Sequence, residues 1–333
     1  MEIYMNNDVI VLIDTGLDKE IYRNRIVGGI HFYIEDEMIC CDKNYNDDNG
    51  HGTACADVIT RVYKNARFFV IKILNSEAET NYPLLEMAME YCISLEYRLI
   101  NLSLAMLQED SEKKLREICQ CLLNRGKVIV ASVYNGEKKS FPALFSTVIG
   151  VRGNRFELHR EYWFDNNKEI QCIGDLTPIF TRWDREKFYL FGGNSKACAY
   201  IAGYIIKTCA DENIEINFNN ACCILKKYAV RTEWKEIEIN CSKEPHIYEN
   251  CLFKDEINKK VKELLYRITG NKEVLNIGIY TSLFDENVLN RDTCKKLIKL
   301  IEETFNIVIS ENLIDYDSIG TLSGMTNMIE RLI

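Results

Sequence analysis

Three residues in this chain have the side chains and local settings that acyl-transfer chemistry needs. Asp14 ends the apolar run of "DVIVLIDTG". His51 sits in "DDNGHGTACAD", within a sequence that holds only 4 histidines. Ser195 follows the glycine pair of "FGGNSKACAYIAG". A serine hydroxyl is a weak nucleophile until an imidazole takes its proton, and the imidazole needs a carboxylate to fix its tautomer and stabilise its cation. The chain order Asp, His, Ser is one recognised solution to that requirement. Asn135, in "ASVYNGE", can offer a side-chain amide to a developing oxyanion. Taken singly, each residue also has a plain structural reading. An Asp at a strand end can be a turn residue, a lone His can be structural, and a Ser before a helix can be an N-cap. His31, His159 and His246 match no such pattern and read as surface or structural residues.

Whether the three can meet depends on the elements that carry them. Short continuous apolar runs recur at 8–13, 66–74, 97–105, 127–133 and 146–151, the signature of buried parallel strands. Helical periodicity falls between and after them, at 51–63, 82–96, 110–126, 195–212 and 219–230. Alternating strands and helices of these lengths predict a parallel sheet with helices on both faces. In such sheets functional groups collect at the carboxyl ends of the strands. Asp14 closes the first strand, His51 opens the first helix, and Ser195 opens a late one. Cys55, four residues after His51, shares its helix face.

Past residue 230 the texture changes. Residues 231–254 lack helical periodicity and read as a linker, and amphipathic helices resume over 255–333. The expected organisation is an α/β domain over 1–230, a parallel sheet flanked by helices, then a small all-α helical bundle over 255–333. Of the 333 residues, 47% are hydrophobic, enough for a sizeable core. The net charge of −9 and the lack of long basic runs argue against nucleic acid as a partner. No apolar run reaches the roughly 18–20 residues that span a bilayer. The N-terminus has neither a basic segment nor a small-residue cleavage site, so a cytoplasmic location is expected. The 14 cysteines sit within apolar segments or as vicinal pairs, without a CxxC, and read as reduced thiols. No metal and no cofactor is expected.

The segments "VLIDTG", "DDNGHGT", "INLSLA", "VIVASVYNGEKKSFPALFSTVIGV" and "GNSKACAYIAG" resemble the successive blocks of subtilisin-like (S8) serine proteases, in family order, over residues 5–230. The resemblance implies a subtilisin fold and a serine endopeptidase with Asp14, His51 and Ser195 as its triad and Asn135 as oxyanion donor. It also implies that Ser103, Leu104 and Ala105 pair with the substrate backbone. Four positions depart from the family pattern: Ala54, Asp57, Asn194 and Tyr200. The stretch after His51 lacks the insertion that builds the main calcium site of secreted members, and no inhibitory prodomain precedes "DVIVLIDTG", so the expectation is either a protein that folds without one or a mature form. Ala105 and Tyr134 stand where the family has pocket glycines. A Tyr134 ring turned inward would fill that pocket and admit only Gly, Ala or Ser; a ring turned outward would not.

The C-terminal segment is similar to acyl carrier proteins. It reads Asp292-Thr293-Cys294 where carriers have Asp-Ser-Leu, and Lys295, Lys296 and Lys299 follow where carriers are acidic. The resemblance implies a degenerate carrier fold reused for docking, of the kind found in peptide-maturation systems. Two functional readings follow. One is a cytoplasmic endopeptidase that cuts a dedicated peptide or protein, such as the leader of a ribosomally made precursor peptide, with a maturation enzyme docked on its C-terminal domain. The other is a catalytically impaired subtilisin-fold protein that binds a peptide without cutting it.

Overall fold

The computed structural model describes residues 8–107, 112–136, 140–156, 161–182, 188–239, 255–284, 286, 288–310 and 313–333. His159 and His246 lie outside the described residues. The chain divides into two compact units.

The first unit comprises Met1–Leu176, Arg182–Lys187 and Gly192–Cys241. Its strands are β1 (Val9–Asp14), β2 (Ile26–Glu35), β3 (Met38–Asp42), β4 (Arg67–Lys72), β5 (Leu99–Leu102), β6 (Val128–Ser132), β7 (Ile149–Asn154), β8 (Tyr162–Phe164) and β9 (Cys172–Asp175). They form one sheet in the order β3-β2-β4-β1-β5-β6-β7-β9-β8. Pairing is parallel except at the two edges, where β3 runs antiparallel to β2 and β8 to β9. The helices are α1 (His51–Val62), α2 (Tyr82–Ser94), α3 (Glu112–Asn124), α4 (Gly193–Asp211) and α5 (Phe218–Tyr228).

Strand periodicity decides which face receives each side chain. Val11 and Ile13, with Ile100, Leu102 and Ile129, pack beneath Leu85 and Met89 of α2 and Leu115 and Leu122 of α3. Ile10, Leu12 and Asp14 have the opposite parity. They leave the sheet on the other face, where α1 and α4 pack against each other and α4 crosses β5, β6, β7 and β9. β1 lies between β4 and β5, so the chain builds outward from it in both directions. The carboxyl end of β1 is therefore a topological switch point, where open α/β sheets place their ligands. Asp14 is its last residue.

All five strands expected from apolar runs are present, and the five expected helices fall within a few residues of their predicted spans. Four strands had no counterpart in the sequence analysis. β2 is interrupted by Gly28 and Gly29, β3 is almost wholly exposed, and β8 and β9 have only 3 and 4 residues. Residues 231–239, read as linker, pack on the first unit: Trp234 is 7% exposed and clusters with Trp163 and Ile173.

The second unit comprises Thr177–Thr181, Phe188–Phe191 and Ser242–Ile333. Its helices are α6 (Asp255–Thr269), α7 (Arg291–Phe305), α8 (Tyr316–Ile319) and α9 (Leu322–Glu330), packed around Val261, Leu265, Ile301, Leu322, Met325 and Ile329. It also holds a two-stranded sheet, β10 (Ile179–Arg182) and β11 (Phe188–Phe191). Phe180 is buried in the helical core, Ile179 bridges to Asp315, and Tyr316 N–H donates to the Pro178 carbonyl at 2.9 Å. The unit is thus helices plus a hairpin rather than all-α. That hairpin comes from chain that the sequence analysis assigned to the first domain. The reason is physical: an apolar residue inserted from a distant segment leaves no local period to read. Thr293 caps α7. Its N–H donates to Asn290 Oδ1 at 3.0 Å, its hydroxyl donates to the Asn290 carbonyl at 3.1 Å, and Asn290 N–H donates to the same hydroxyl at 2.8 Å. No described helix is long and apolar enough to cross a membrane.

Candidate active site

The loop before α1 explains the crowding of "DDNGHGT". Asp47, 6% exposed, accepts hydrogen bonds from Thr15 Oγ1 (2.9 Å), Gly50 N–H (2.8 Å), Thr53 N–H (2.8 Å) and Thr53 Oγ1 (2.6 Å). One carboxylate thus satisfies orphan donors at the start of α1, a position where negative charge also meets the helix dipole favourably. Thr15 Oγ1 in turn accepts from Gly52 N–H at 2.9 Å, which ties the end of β1 to the first turn of α1. The approach is close enough to require glycine: a Cβ on Gly52 would lie 2.1 Å from the Gly16 carbonyl oxygen. Lys72, at the end of β4, anchors the loop from below through the Asn46 carbonyl (3.0 Å) and Asp48 Oδ1 (2.7 Å).

This scaffold sets His51 against Asp14. His51 Nδ1 lies 2.7 Å from Asp14 Oδ1, which also accepts from Thr15 N–H at 2.8 Å. The Asp14 side chain is 0% exposed and His51 is 18% exposed. Burial opposes a charge on His51, but the Asp14 carboxylate and Cys55 together more than offset it, so the imidazole titrates well above its ordinary 6.5. Cys55 lies where helix spacing puts it, with Sγ 3.9 Å from His51 Nδ1. Burial pushes its thiol up to about 12, so it is a neutral packing residue and not a competing nucleophile.

Ser195 lies in the first turn of α4 and is clamped to the residue following β5. Ser195 Oγ donates to the Ser103 carbonyl at 3.0 Å, and Ser103 Oγ donates to the Ser195 carbonyl at 3.2 Å. Asn101 Nδ2 donates to Ser103 Oγ at 3.0 Å and completes the buried chain. Asn194 holds the other side. Its Oδ1 accepts from Gly153 N–H (2.7 Å), its Nδ2 donates to the Val133 carbonyl (2.9 Å), and its N–H donates to Asn135 Oδ1 (3.1 Å). The last contact fixes the amide of Asn135: its oxygen is taken, so its NH₂ is the face left to bind an anion. Gly193 makes the turn possible, with φ +76° and a would-be Cβ 3.0 Å from Asn135 Oδ1.

Next to the nucleophile position, Lys196 forms a buried ion pair with Asp175 at the end of β9; the two side chains are 4% and 0% exposed. A cation in the first turn of a helix is unfavourable unless paired. Lys196→Met therefore takes the buried cation away from a fully buried carboxylate, and the expected loss of stability is about 3–5 kcal/mol. Urea unfolding followed by tryptophan fluorescence measures it. The double variant Lys196→Met/Asp175→Leu should recover most of that loss, because replacing both charges with packed apolar groups removes the buried charge.

A single cleft of about 910 Å³ is lined by His51, Ser103, Leu104, Ala105, Tyr134, Asn135 and Ser195. Every predicted site residue lines it except Asp14, which stands behind His51. Tyr134 is 48% exposed and forms part of the cleft wall. The residue is thus open to the cleft, and a cleavage-site profile decides whether it limits the side chain admitted before the cut.

The model of the subtilase family matches residues 6–232. The chain belongs to the subtilase family. It is 25% identical over 225 residues to the "Intracellular serine protease" of Paenibacillus polymyxa, covering 62% of this chain and 68% of that one. It is 24% identical over 230 residues to the "Major intracellular serine protease" of Bacillus subtilis (strain 168), covering 63% and 71%. Thermitase of Thermoactinomyces vulgaris is 21% identical over 208 residues, covering 58% and 72%. This subtilase is thus a serine endopeptidase. Its departures from the family pattern have structural partners. Asn194 bridges β7 to the loop after β6, as described, and Tyr200 packs against Tyr204 with ring centroids 6.3 Å apart. Asp47, Asn101, Lys196 and Asp175 also build the site, although none was among the residues expected there. Asp47 lay within the quoted histidine block; the other three became visible only when distant strands came together.

Proposed function

We propose that this subtilase cleaves peptide bonds through Asp14, His51 and Ser195, with Asn135 and the Ser195 N–H holding the oxyanion. The observation that carries the reading is the 2.7 Å contact of His51 with a buried Asp14, at a cleft that Ser195 also lines. Ser195 attacks the carbonyl carbon as His51 takes its proton; His51 then returns that proton to the leaving amine, and water repeats the sequence on the acyl-enzyme. Ser195 Oγ gives up its bond to the Ser103 carbonyl when it donates its proton to His51. Ser103, Leu104 and Ala105 supply the strand against which the substrate extends. The expected partner is a dedicated peptide or protein in the cytoplasm, such as a precursor peptide, with the C-terminal unit as a carrier-like docking module. The engaged hydroxyl of Thr293 supports docking over carriage of a phosphopantetheine arm. A fluorophosphonate probe tests the reading: wild-type protein should be labelled, and peptide mapping should place the adduct on Ser195. No adduct, or an adduct elsewhere, counts against it.

The oxyanion role has its own test. Asn135→Ala removes one donor and should lower kcat by about 100- to 1,000-fold with little change in KM, since the contact forms mainly in the transition state. Steady-state kinetics on a fluorogenic peptide would show it. A change confined to KM would place Asn135 in ground-state binding instead.

A further inference from the structure

The catalytic cleft does not end at its own wall. Glu79, Thr80 and Asn81 line it on one side, and the same three residues line an adjoining groove of about 370 Å³. The far wall of that groove comes from β2, with His31 and Tyr33. These two rings are stacked, centroids 5.0 Å apart, and His31 Nδ1 is held by Asp42 at 3.1 Å. Among the described residues that line either space, Glu79 is the only carboxylate. Its backbone is fixed: its N–H donates to Asn75 Oδ1 at 2.9 Å, and its carbonyl accepts from Asn75 N–H at 3.0 Å. Its side chain is exposed and engages no cation among the described residues. A carboxylate on an anchored backbone, in a groove that an aromatic ring also lines, is a setting for a cationic side chain, which gains from both the charge and the ring face.

We propose that this groove selects substrates carrying a lysine or arginine side chain, seated against Tyr33 with its charge on Glu79. The proposal rests on the reading of the cleft as a peptidase site and names the substrate class that site prefers. The cation comes from a residue displaced from the scissile bond, because the groove opens off the cleft beyond Glu79 and not at Ser195. The β2–β3 turn adds Glu35, Asp36 and Glu37, so the long-range field near the groove favours the same sign.

The experiment uses the full chain and paired fluorogenic peptides that differ only in Arg against Gln, scanned through each position around the cut. At one position wild type should favour Arg by about tenfold in kcat/KM. Glu79→Gln should bring that ratio close to one, and Glu79→Lys should invert it in favour of a Glu-containing peptide. Raising the ionic strength should shrink the wild-type ratio. A wild-type ratio near one at every position, or a ratio that survives in Glu79→Gln, overturns the proposal. Fluorophosphonate labelling of the same samples separates the two failures. Labelled enzyme with no cation preference sinks the groove assignment alone, whereas unlabelled enzyme sinks the peptidase reading and this inference with it.

Discussion

Ser195→Ala is expected to lower kcat by about 10⁶-fold while the protein stays folded and still binds its peptide. The chemistry sets the size. Without Oγ no acyl-enzyme forms, so His51 and Asp14 have no proton to move, and only the oxyanion donors and the ordered cleft still favour reaction. The three side chains act as one device, so adding His51→Ala to Ser195→Ala should cost almost nothing more. Folding is affected far less. The variant loses one hydrogen bond, from Ser195 Oγ to the Ser103 carbonyl, while the return bond from Ser103 Oγ to the Ser195 carbonyl stays. A neutral hydrogen bond is worth about 1 kcal/mol. Progress curves on a fluorogenic peptide and calorimetric titration of the same peptide give the two readouts. This pair also decides between the two functional readings of the sequence. If wild type binds but does not turn over, and Ser195→Ala binds as well, the fold is a peptide-binding module. If wild type turns over and the variant only binds, it is a peptidase.

The sequence reading reached the central strands and the residues at their ends because both signals are local. "DVIVLIDTG" shows a buried strand and its terminal carboxylate within nine letters, and "DDNGHGT" shows a helix start. The edges of the sheet were hidden for the opposite reason. β3 buries almost nothing, so no selection for apolar residues marks it. β8 and β9 are too short for a period to emerge. Within the site, the reciprocal Ser103–Ser195 clamp joins residues 92 apart in the chain, and the Lys196–Asp175 pair joins residues 21 apart. Neither spacing carries a pattern. Lys196 could have raised suspicion as a lysine in an otherwise apolar helix start, but nothing in the sequence pointed to its partner. Tyr134 shows a different limit. It lines the cleft, but the direction of its ring depends on χ angles that composition does not encode.

Asp14→Asn is expected to lower kcat by about 10⁴-fold and to move the pH dependence of what remains. The loss comes from the tautomer. The Asp14 carboxylate accepts from His51 Nδ1–H, which leaves Nε2 unprotonated and able to take the serine proton. An Asn amide at that place can donate its own N–H to Nδ1, which puts the imidazole proton on Nε2, where it blocks proton transfer. The pH shift comes from the charge. In wild type, burial lowers the pKa of His51, and the Asp14 carboxylate, the larger of the raising partners, together with Cys55 raises it by more, giving a net value well above 6.5. Removing the carboxylate charge takes away the larger raising partner, so the His51 pKa must fall. Activity requires neutral His51, so kcat/KM of wild type should rise with pH through the raised His51 value. In Asp14→Asn the residual activity should rise through a lower one, and the variant should lose least at the acid end of the range. The check is a pH–rate profile of both proteins on one peptide, with the imidazole proton signals followed by NMR as a readout independent of turnover. An unchanged limb would mean that Asp14 does not set the charge state of His51, and a fall in kcat of only a few-fold would remove it from the proposed triad.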